Sequence, residues 1–470
     1  MSHERSEHSA PEANGLTDRQ QQFLRDLLPG RQTLFLRDQT WIYGSDAGRF
    51  FAQPWAVVRP SNSEQVAELL RWAQAERVPV FPRGRATNVV GGCVPRGGGV
   101  VLSTLFMDRI LDLDERDFIA VVQPGVATSR LQARAEEAGL FYPPDPASVG
   151  ISSIGGNAAT NAGGMRAVKY GVTGDYVLGC QAVLPGGRII RSGGSVHKDA
   201  VGLDLTSLLV GSEGTLALMT ELTLKLLPKP RASASLLAGF ESRDAGLEAA
   251  NAVFRSGMLP AAVEFMDEQA AECLRSAGAY EMPRETDCLL LFKLDGSRAC
   301  LDGDIEDLER VVREHGPNML GIGATPQAEE ELWQARRSLN PASFRLGPNK
   351  LSLDITVPRG SVGQAVDRAR EAGDRNGVRA LTFGHLGDGN IHVNFMYHAE
   401  LGQTEAAQAA ASELVRHVLH LRGTISGEHG VGLAKLPYVR DQLGPDQIGL
   451  MRGIKQVFDP HGILNPGKGY

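Results

Sequence analysis

The chain has 470 residues, 42% hydrophobic and 22% charged, with a net charge of −7. That length allows roughly two to four domains of ~100–200 residues. The composition is that of a soluble globular protein, and the acidic balance argues against a nucleic-acid partner, which would want a basic face. Five scattered cysteines (Cys93, Cys180, Cys273, Cys288, Cys300) include no C-x-x-C pair. Neither an iron–sulfur cluster nor a four-cysteine zinc site is therefore expected within the chain, and free thiols suit the cytoplasm. The first fifteen residues are polar without an apolar core, so no secretory signal is expected. No apolar run approaches the ~20 residues of a transmembrane helix, so work at the inner face of a membrane would go through a partner.

In chain order, residues 1–15 read as a disordered tail. Residues 17–28 (TDRQQQFLRDLL) read as a helix capped by Thr17 or Asp18, and residues 55–59 as a short strand. Ser63 is expected to cap the next helix, with Val66, Leu69, Leu70 and Ala73 as its buried stripe. A strand at 79–82 enters RGRATNVVGG, residues 83–92, a first glycine-rich turn. Strands at 100–102 and 119–122 precede a helix from Thr128, with Leu131 and Ala135 inward.

Residues 142–164, YPPDPASVGISSIGGNAATNAGG, open with three prolines that exclude helix and continue with five glycines among small polar residues. The run cannot pack a core of its own. It lets backbone N–H groups approach a ligand, and converging N–H groups favour an anion such as a diphosphate. A plain linker would be more charged, so a cofactor cradle is the better reading.

A hairpin at 177–190 and a helix–turn–strand segment at 205–230 complete a first unit, closed by Pro228 and Pro230. From 231 the alternation of moderate strands and helices fits an antiparallel α+β domain. Residues 380–395 form a hairpin with GDGN at its bend. Residues 404–423 form an amphipathic helix ended by Gly423, followed by the loop TISGEHGVG and a last helix.

His385 and His392 flank the bend, and His392 and Asn394 share one strand face opposite Ile391, Val393 and Phe395. Glu428 and His429, between Gly427 and Gly430, add a carboxylate and an imidazole. Two histidines and one glutamate with open positions form a catalytic rather than a structural metal set. By themselves, the paired histidines are also compatible with an exposed hairpin. Either His429 or one of the pair is placed to act as a base. Arg336 and Arg337 suit bidentate carboxylate capture or a solvated helix face, and Lys350 offers a weaker case. GILNPGK at 462–468 has the spacing of a P-loop but lacks the Ser/Thr and the following helix, and no G-x-G-x-x-G follows a strand.

With RGRATNVVGG, QPGV, YPPDPAS, IGGNAATNAGG, KYG, GSEGTL, GHLGDGNIH, GEHGVG and LNPGK in place, residues 40–470 resemble the FAD-linked oxidases of the vanillyl-alcohol oxidase/p-cresol methylhydroxylase superfamily. The likeness is to the D-2-hydroxyacid dehydrogenase branch, which holds cytochrome-type D-lactate dehydrogenase, the glycolate oxidase flavin subunit and D-2-hydroxyglutarate dehydrogenase. The resemblance implies an α+β protein: a two-part FAD-binding domain (16–230), a substrate or cap domain with an antiparallel sheet (231–455), and a C-terminal segment (456–470) returning to the flavin.

It implies that Arg83, Gly84, Ala86, Thr87, Asn88 and Gly92 wrap the FAD diphosphate. Pro144, Asp145, Ser152, Gly155, Gly156, Asn157, Asn161 and Gly164 would line the rest of the dinucleotide. Gly211, Glu213 and Gly214 would approach the adenine side, and Asn465 the isoalloxazine. GRAT replaces the usual GAGT, so Arg85 and Ala86 alter the diphosphate contact, and the missing histidine in this block implies non-covalent FAD. His385, His392 and Glu428 match divalent-metal ligands, usually zinc. Asn394 matches a position beside the substrate, His429 the proposed base and Arg336, with Lys350, the carboxylate site. The implied reaction is oxidation of a small D-2-hydroxy acid, D-lactate first, by hydride transfer to flavin N5. The metal would hold the hydroxyl while His429 takes its proton. The implied acceptor is a quinone, a cytochrome or an electron-transfer flavoprotein, and the state is compatible with a homodimer or a partner iron–sulfur subunit. An FAD-binding docking subunit without turnover is the non-enzyme alternative.

Overall fold

The structure, a computed structural model, describes residues 15–278 and 280–470. Apart from Gly15, the tail expected over 1–15 lies outside the described residues.

Among the described residues the first lobe holds two larger sheets and a two-stranded pair, Leu140–Phe141 with Leu227–Pro228. One has four strands in the order Thr33–Leu34, Ala56–Val58, Val100–Ser103, Val80–Arg83, the last three mutually parallel. Leu24 and Leu28 from one helix segment and Val66, Leu69, Leu70 and Ala73 from helix Ser63–Glu76 bury against Val58, Val80, Val100 and Leu102. The cap of that second helix is Asn62, whose side chain accepts from the Gln65 amide. Ser63, expected in that role, is buried and donates instead to Gln181 Oε1 at 2.5 Å. Tertiary contact takes the hydroxyl, and the asparagine one residue earlier supplies an equally good cap.

The other sheet is antiparallel, in the order Ile110–Asp114, Ile119–Val122, Leu218–Lys225, Val177–Val183, Ile189–Gly193. Against it lies helix Ile154–Thr160, inside the glycine-rich stretch read as cradle loop. The prolines end at Pro146, leaving the helix unopposed, and Ile154 and Ala158, one turn apart, bury in the sheet's core. Gly155 is obligatory there, because a Cβ would overlap Pro124. Asn161, at φ +50°, ends the helix in the left-handed region.

The second lobe is a seven-stranded antiparallel sheet in the order Met319–Gly323, Ala232–Phe240, Cys288–Gly296, Ala262–Met266, Arg379–His385, Asn390–Tyr397, Asn349–Thr356. Helices Arg243–Arg255, Arg298–Arg313, Val362–Asn376 and Thr404–His420 cover one face, and Ile391, Val393 and Phe395 point into that core. Helices Glu268–Ser276 and Pro326–Ser343 pack with Leu381 and Phe383 on the other face. His392 and Asn394 alternate onto this second face. The chain ends by returning to the first lobe. Ile463 and Leu464 are buried in its core, the Val80 amide donates to the Ile463 carbonyl, and the Asn465 amide donates to the Val80 carbonyl. Among the described residues no helix is long and apolar enough to cross a membrane.

Asp267 caps helix Glu268–Ser276 through the Ala270 amide (2.9 Å) and accepts the Thr382 amide on its other oxygen (2.8 Å). Burial pushes its carboxyl up to about 7, against the two amides that favour its charge. Between roughly pH 4 and 7 the folded chain thus keeps a proton that the unfolded chain has lost, and stability falls as pH rises through that window. Asp267→Asn cannot ionise. The stability difference between the two proteins should move in favour of Asn by about 1–3 kcal/mol from pH ~4.5 to ~7.5, read from urea midpoints. A pH-independent difference would mean that the carboxylate is charged throughout.

Candidate active site

The hairpin places its histidines by register. His385 ends one strand opposite Asn390, and His392 pairs with Phe383 on one side and Asp354 on the other. His385 Nδ1 lies 2.6 Å from Oε1 of Glu264, a fully buried carboxylate on the neighbouring strand, whose Oε2 accepts Arg336 Nε at 2.7 Å. With Nδ1 so held, His385 turns Nε2 toward Glu428 Oε1, 3.8 Å away. His392 Nε2 is also 3.8 Å from that oxygen and His429 Nε2 is 3.7 Å from it. The ligand atoms of His385, His392 and Glu428 all fall within 4.8 Å of one another.

Two observations fit this set to a cation. Glu428 Oε2 is buried with no hydrogen-bond partner, and so are both amide atoms of Asn394, an expensive state unless a ligand completes them. The protonation states of Glu428 and His392 also agree. Burial alone would push Glu428 up, yet the His385 hydrogen bond and the charges of His385, His392 and His429 bring it down to about 2. Burial brings His392 down to about 4, leaving a neutral imidazole. A carboxylate and a neutral imidazole are the forms that ligate a metal. His385 goes the other way: the Glu264 charge outweighs burial and raises it well above the usual imidazole range, so it has to give up a proton to ligate a cation.

The loop carrying Glu428 and His429 has almost no freedom. Asp354 Oδ2 accepts the amides of Gly427 (3.1 Å), Glu428 (3.0 Å) and His429 (2.9 Å). Lys435 Nζ, buried, donates to Asp354 Oδ2 at 3.1 Å, to its carbonyl at 3.0 Å and to Ser426 Oγ at 2.9 Å. Burial would raise Asp354, but Lys435, then His429 and His392, hold it well below the usual carboxylate range. Gly427 has no room for a side chain, since a Cβ would overlap the Asn390 amide. From the first lobe, Glu213 takes the amides of Val431 and Gly432, both at 2.8 Å, and Asn88 Nδ2 donates to the His429 carbonyl at 2.7 Å. His429 stacks on His392 at 5.7 Å, with Nδ1 3.6 Å from Asp354 Oδ2 and its side chain 30% exposed.

That exposed imidazole opens on a cavity of about 310 Å³. Its far walls are Arg83, Gly84, Ala86, Thr87, Asn88, Gly92, Ser152, Gly155, Gly156, Asn157, Glu213 and Gly214, and its near wall is Glu428 and His429. The two glycine-rich stretches, about 50 residues apart in sequence, therefore face one space that ends at Glu428 and His429. This is a shape and lining suited to FAD. Several expected cofactor residues brace this space instead of lining it. Asn161 Oδ1 accepts the Gly174 amide (2.7 Å), and the Pro144 carbonyl accepts Gln132 Nε2 (3.0 Å). Asp145 pairs with Arg166 at 3.2 Å, and burial pushes it up to about 6. Gly164 packs on the Asp145 carbonyl. Gly211 faces a second cavity behind the loop, of about 360 Å³. Asn465 Nδ2 ties the Gly92 and Glu213 carbonyls together at 3.1 and 2.7 Å.

Arg336 lies over the Phe383 ring, 4.6 Å from its centre. Lys350 Nζ donates to Asn340 Oδ1 at 2.8 Å, one helical turn beyond Arg336, and burial lowers its pKa. Lys350 shares the sheet face of His392 and Asn394. Arg337, by contrast, pairs with Glu330 on the exposed helix surface.

Sequence reading missed Glu264, Asp354 and Lys435. A signal for two of them exists: each carboxylate is the lone charge in an otherwise buried strand stretch, AVEFM and LDI, and such a charge must have a partner. Asp354→Asn should leave Lys435 buried without its counter-charge and loosen three amides. The expected loss is about 2–4 kcal/mol, measured by urea unfolding. A loss below about 1 kcal/mol would show that the loop holds its place without the charge.

Known proteins place this architecture. Residues 54–193 match the FAD binding domain, and residues 229–469 the C-terminal domain of FAD linked oxidases. The glycolate oxidase subunit GlcD of Bacillus subtilis is 39% identical over 429 residues, 91% of each chain. A D-lactate dehydrogenase of Anaerostipes hadrus is 36% identical over 445 residues, 92% of each. The solved structure of p-cresol methylhydroxylase with substrate bound superposes with a TM-score of 0.81 at 19% identity, over 96% of this chain and 97% of that one, a likeness of fold. The chain belongs to the FAD-linked oxidases, with the two-domain fold of the vanillyl-alcohol oxidase/p-cresol methylhydroxylase family, and is a flavoprotein oxidoreductase acting on CH–OH donors.

Proposed function

We propose that the protein is an FAD-dependent dehydrogenase of small D-2-hydroxy acids, D-lactate first, with glycolate and D-2-hydroxyglutarate as alternative substrates. The observation that carries this reading is the single cavity running from the glycine-rich walls to Glu428 and His429, beside the His385/His392/Glu428 set. FAD held non-covalently there supplies the two-electron acceptor, and a divalent cation on His385, His392 and Glu428, zinc in this reading, supplies Lewis acidity.

The chain's own residues do the rest. Arg336 has its Nε committed to Glu264, which leaves its Nη groups to take the substrate carboxylate as a fork. Lys350 adds positive charge on the same sheet face. Asn394, buried with both amide atoms unpartnered, is placed to hold the substrate oxygens. His429 takes the hydroxyl proton at Nε2, and Asp354 beside Nδ1 stabilises the imidazolium that forms. The burial of His385, His392 and the Glu428 side chain keeps water from competing at the reacting carbon. The acceptor that reoxidises the flavin is a quinone, a cytochrome or an electron-transfer flavoprotein. The "subunit" in the name of the Bacillus relative favours a second form of the same reading, a flavin subunit beside an iron–sulfur partner.

Anaerobic absorption spectra test this. The oxidised-flavin bands should bleach with D-lactate, more slowly with glycolate or D-2-hydroxyglutarate, and not with L-lactate. Chelation should slow bleaching at least 100-fold, and zinc should restore it. His429→Ala and Arg336→Ala should retain FAD and bleach roughly 100- to 10,000-fold more slowly. Bleaching at the wild-type rate in either variant removes that residue's role, and bands unbleached by all three acids remove the substrate class.

A further inference from the structure

The sequence places two arginines on either side of Gly84, and the resemblance pointed to Arg83 as the diphosphate ligand. The structure commits that guanidinium elsewhere. Arg83 Nη1 donates to the carbonyls of Ser45 (2.5 Å) and Tyr43 (3.4 Å) and contacts Cys93 Sγ (3.3 Å), while Nη2 takes the Ile42 carbonyl (3.2 Å). It knits segment 42–45 to the loop and has little left for a ligand. Ser152 is committed too: its hydroxyl and carbonyl both meet Thr128 Oγ1, at 2.9 and 3.3 Å.

Their neighbours are in the opposite state. Arg85 is half-buried in the cavity wall. Its Nε is buried with no partner, its one hydrogen bond reaches the Gly125 carbonyl at 3.5 Å, and among the described residues no carboxylate pairs with it. Ser153, 1% exposed and lining the same cavity, has a hydroxyl with no partner. That hydroxyl sits in the crevice between the two glycine-rich segments: a Cβ built on Gly84 would lie 2.7 Å from it, and one on Gly156 3.1 Å. An uncompensated guanidinium and an orphaned buried hydroxyl in one glycine-walled space are costly unless an anion completes both.

We infer that Arg85 and Ser153, rather than Arg83 and Ser152, bind the diphosphate of FAD. The inference rests on this cavity being the flavin's place. It makes the arginine that departs from the family's small residue a built-in cofactor ligand, a charge-assisted contact added to the backbone N–H groups that glycine-rich loops offer.

The test is binding, independent of turnover. Protein stripped of flavin is titrated with FAD, ADP and riboflavin by fluorescence and calorimetry. Arg85→Met should weaken FAD and ADP by roughly 10- to 100-fold and Ser153→Ala by about 3- to 10-fold, with riboflavin, which has no phosphate, unaffected by either. Added salt should weaken FAD binding in wild type and less so in Arg85→Met. Near-wild-type circular dichroism and melting would show each variant folded. Unchanged FAD and ADP affinity in both Arg85→Met and Ser153→Ala would overturn the inference while leaving the flavoprotein reading intact. Equal losses for riboflavin would overturn it as well, since the effect would then not be on the phosphates. Wild-type protein that takes up no FAD would instead overturn the reading of the cavity, and the inference with it.

Discussion

Two buried carboxylates hold five backbone amides of one six-residue loop. Asp354, from the second lobe's sheet, takes Gly427, Glu428 and His429, and Glu213, from the first lobe, takes Val431 and Gly432. A carboxylate taken out of water costs several kcal/mol unless its oxygens are saturated with donors. Here saturation is provided by the loop itself and by Lys435, so the loop conformation and the two charges stabilise each other. With five amides committed, the loop has one conformation in which neither charge is left bare. That conformation sets Glu428 against the paired histidines and His429 at the cavity mouth.

Glu264 repeats the arrangement on the other side of the cluster. One oxygen orients His385 and the other orients Arg336, so the imidazole proposed to hold the cation and the guanidinium proposed to take the substrate carboxylate are fixed by the same fully buried group. The site is therefore built less from its reacting residues than from three acids behind them, each with two tasks. Burial raises Glu213, whereas Asp354 and Glu264 are lowered because their cationic partners outweigh burial. The balance differs by site: for Glu213 two amides with the charges of Lys435 and Lys468 do not offset desolvation, whereas Lys435, His429 and His392 do so for Asp354, and His385 and Arg336 do so for Glu264.

What the sequence made legible was local. The seven-residue separation of His385 and His392 across a glycine bend already puts them on facing strand ends, and small residues around Glu428 and His429 announce a crowded loop. The strand alternation that sent Ile391, Val393 and Phe395 to one face and His392 and Asn394 to the other holds in the structure. The rest depends on contacts that pattern cannot see. Glu264 meets His385 across 121 positions and Asp354 meets the His429 amide across 75. The choice between Arg83 and Arg85, or Ser152 and Ser153, turns on which neighbour reaches a partner first. The glycine-rich stretch misled in a different way. Its propensities oppose helix, yet two apolar residues one turn apart, seated in a core, overcame them.

The links between lobes carry a functional consequence. The segment 83–92 lines the cavity through Gly84, Arg85 and Thr87, and through Asn88 it also holds the carbonyl of His429. Glu213 likewise stands in the cavity wall and grips the same loop. Whatever fixes the first lobe around that cavity therefore also fixes the loop that carries His429, the base of the proposed mechanism. A base anchored on the second lobe alone would drift relative to the flavin by whatever the two lobes move, and a displacement near 1 Å is enough to cost about 100-fold in rate. Tying the loop to both lobes removes that freedom. The loop so tied is the one that carries both Glu428 and His429, the carboxylate and the imidazole of the proposed mechanism.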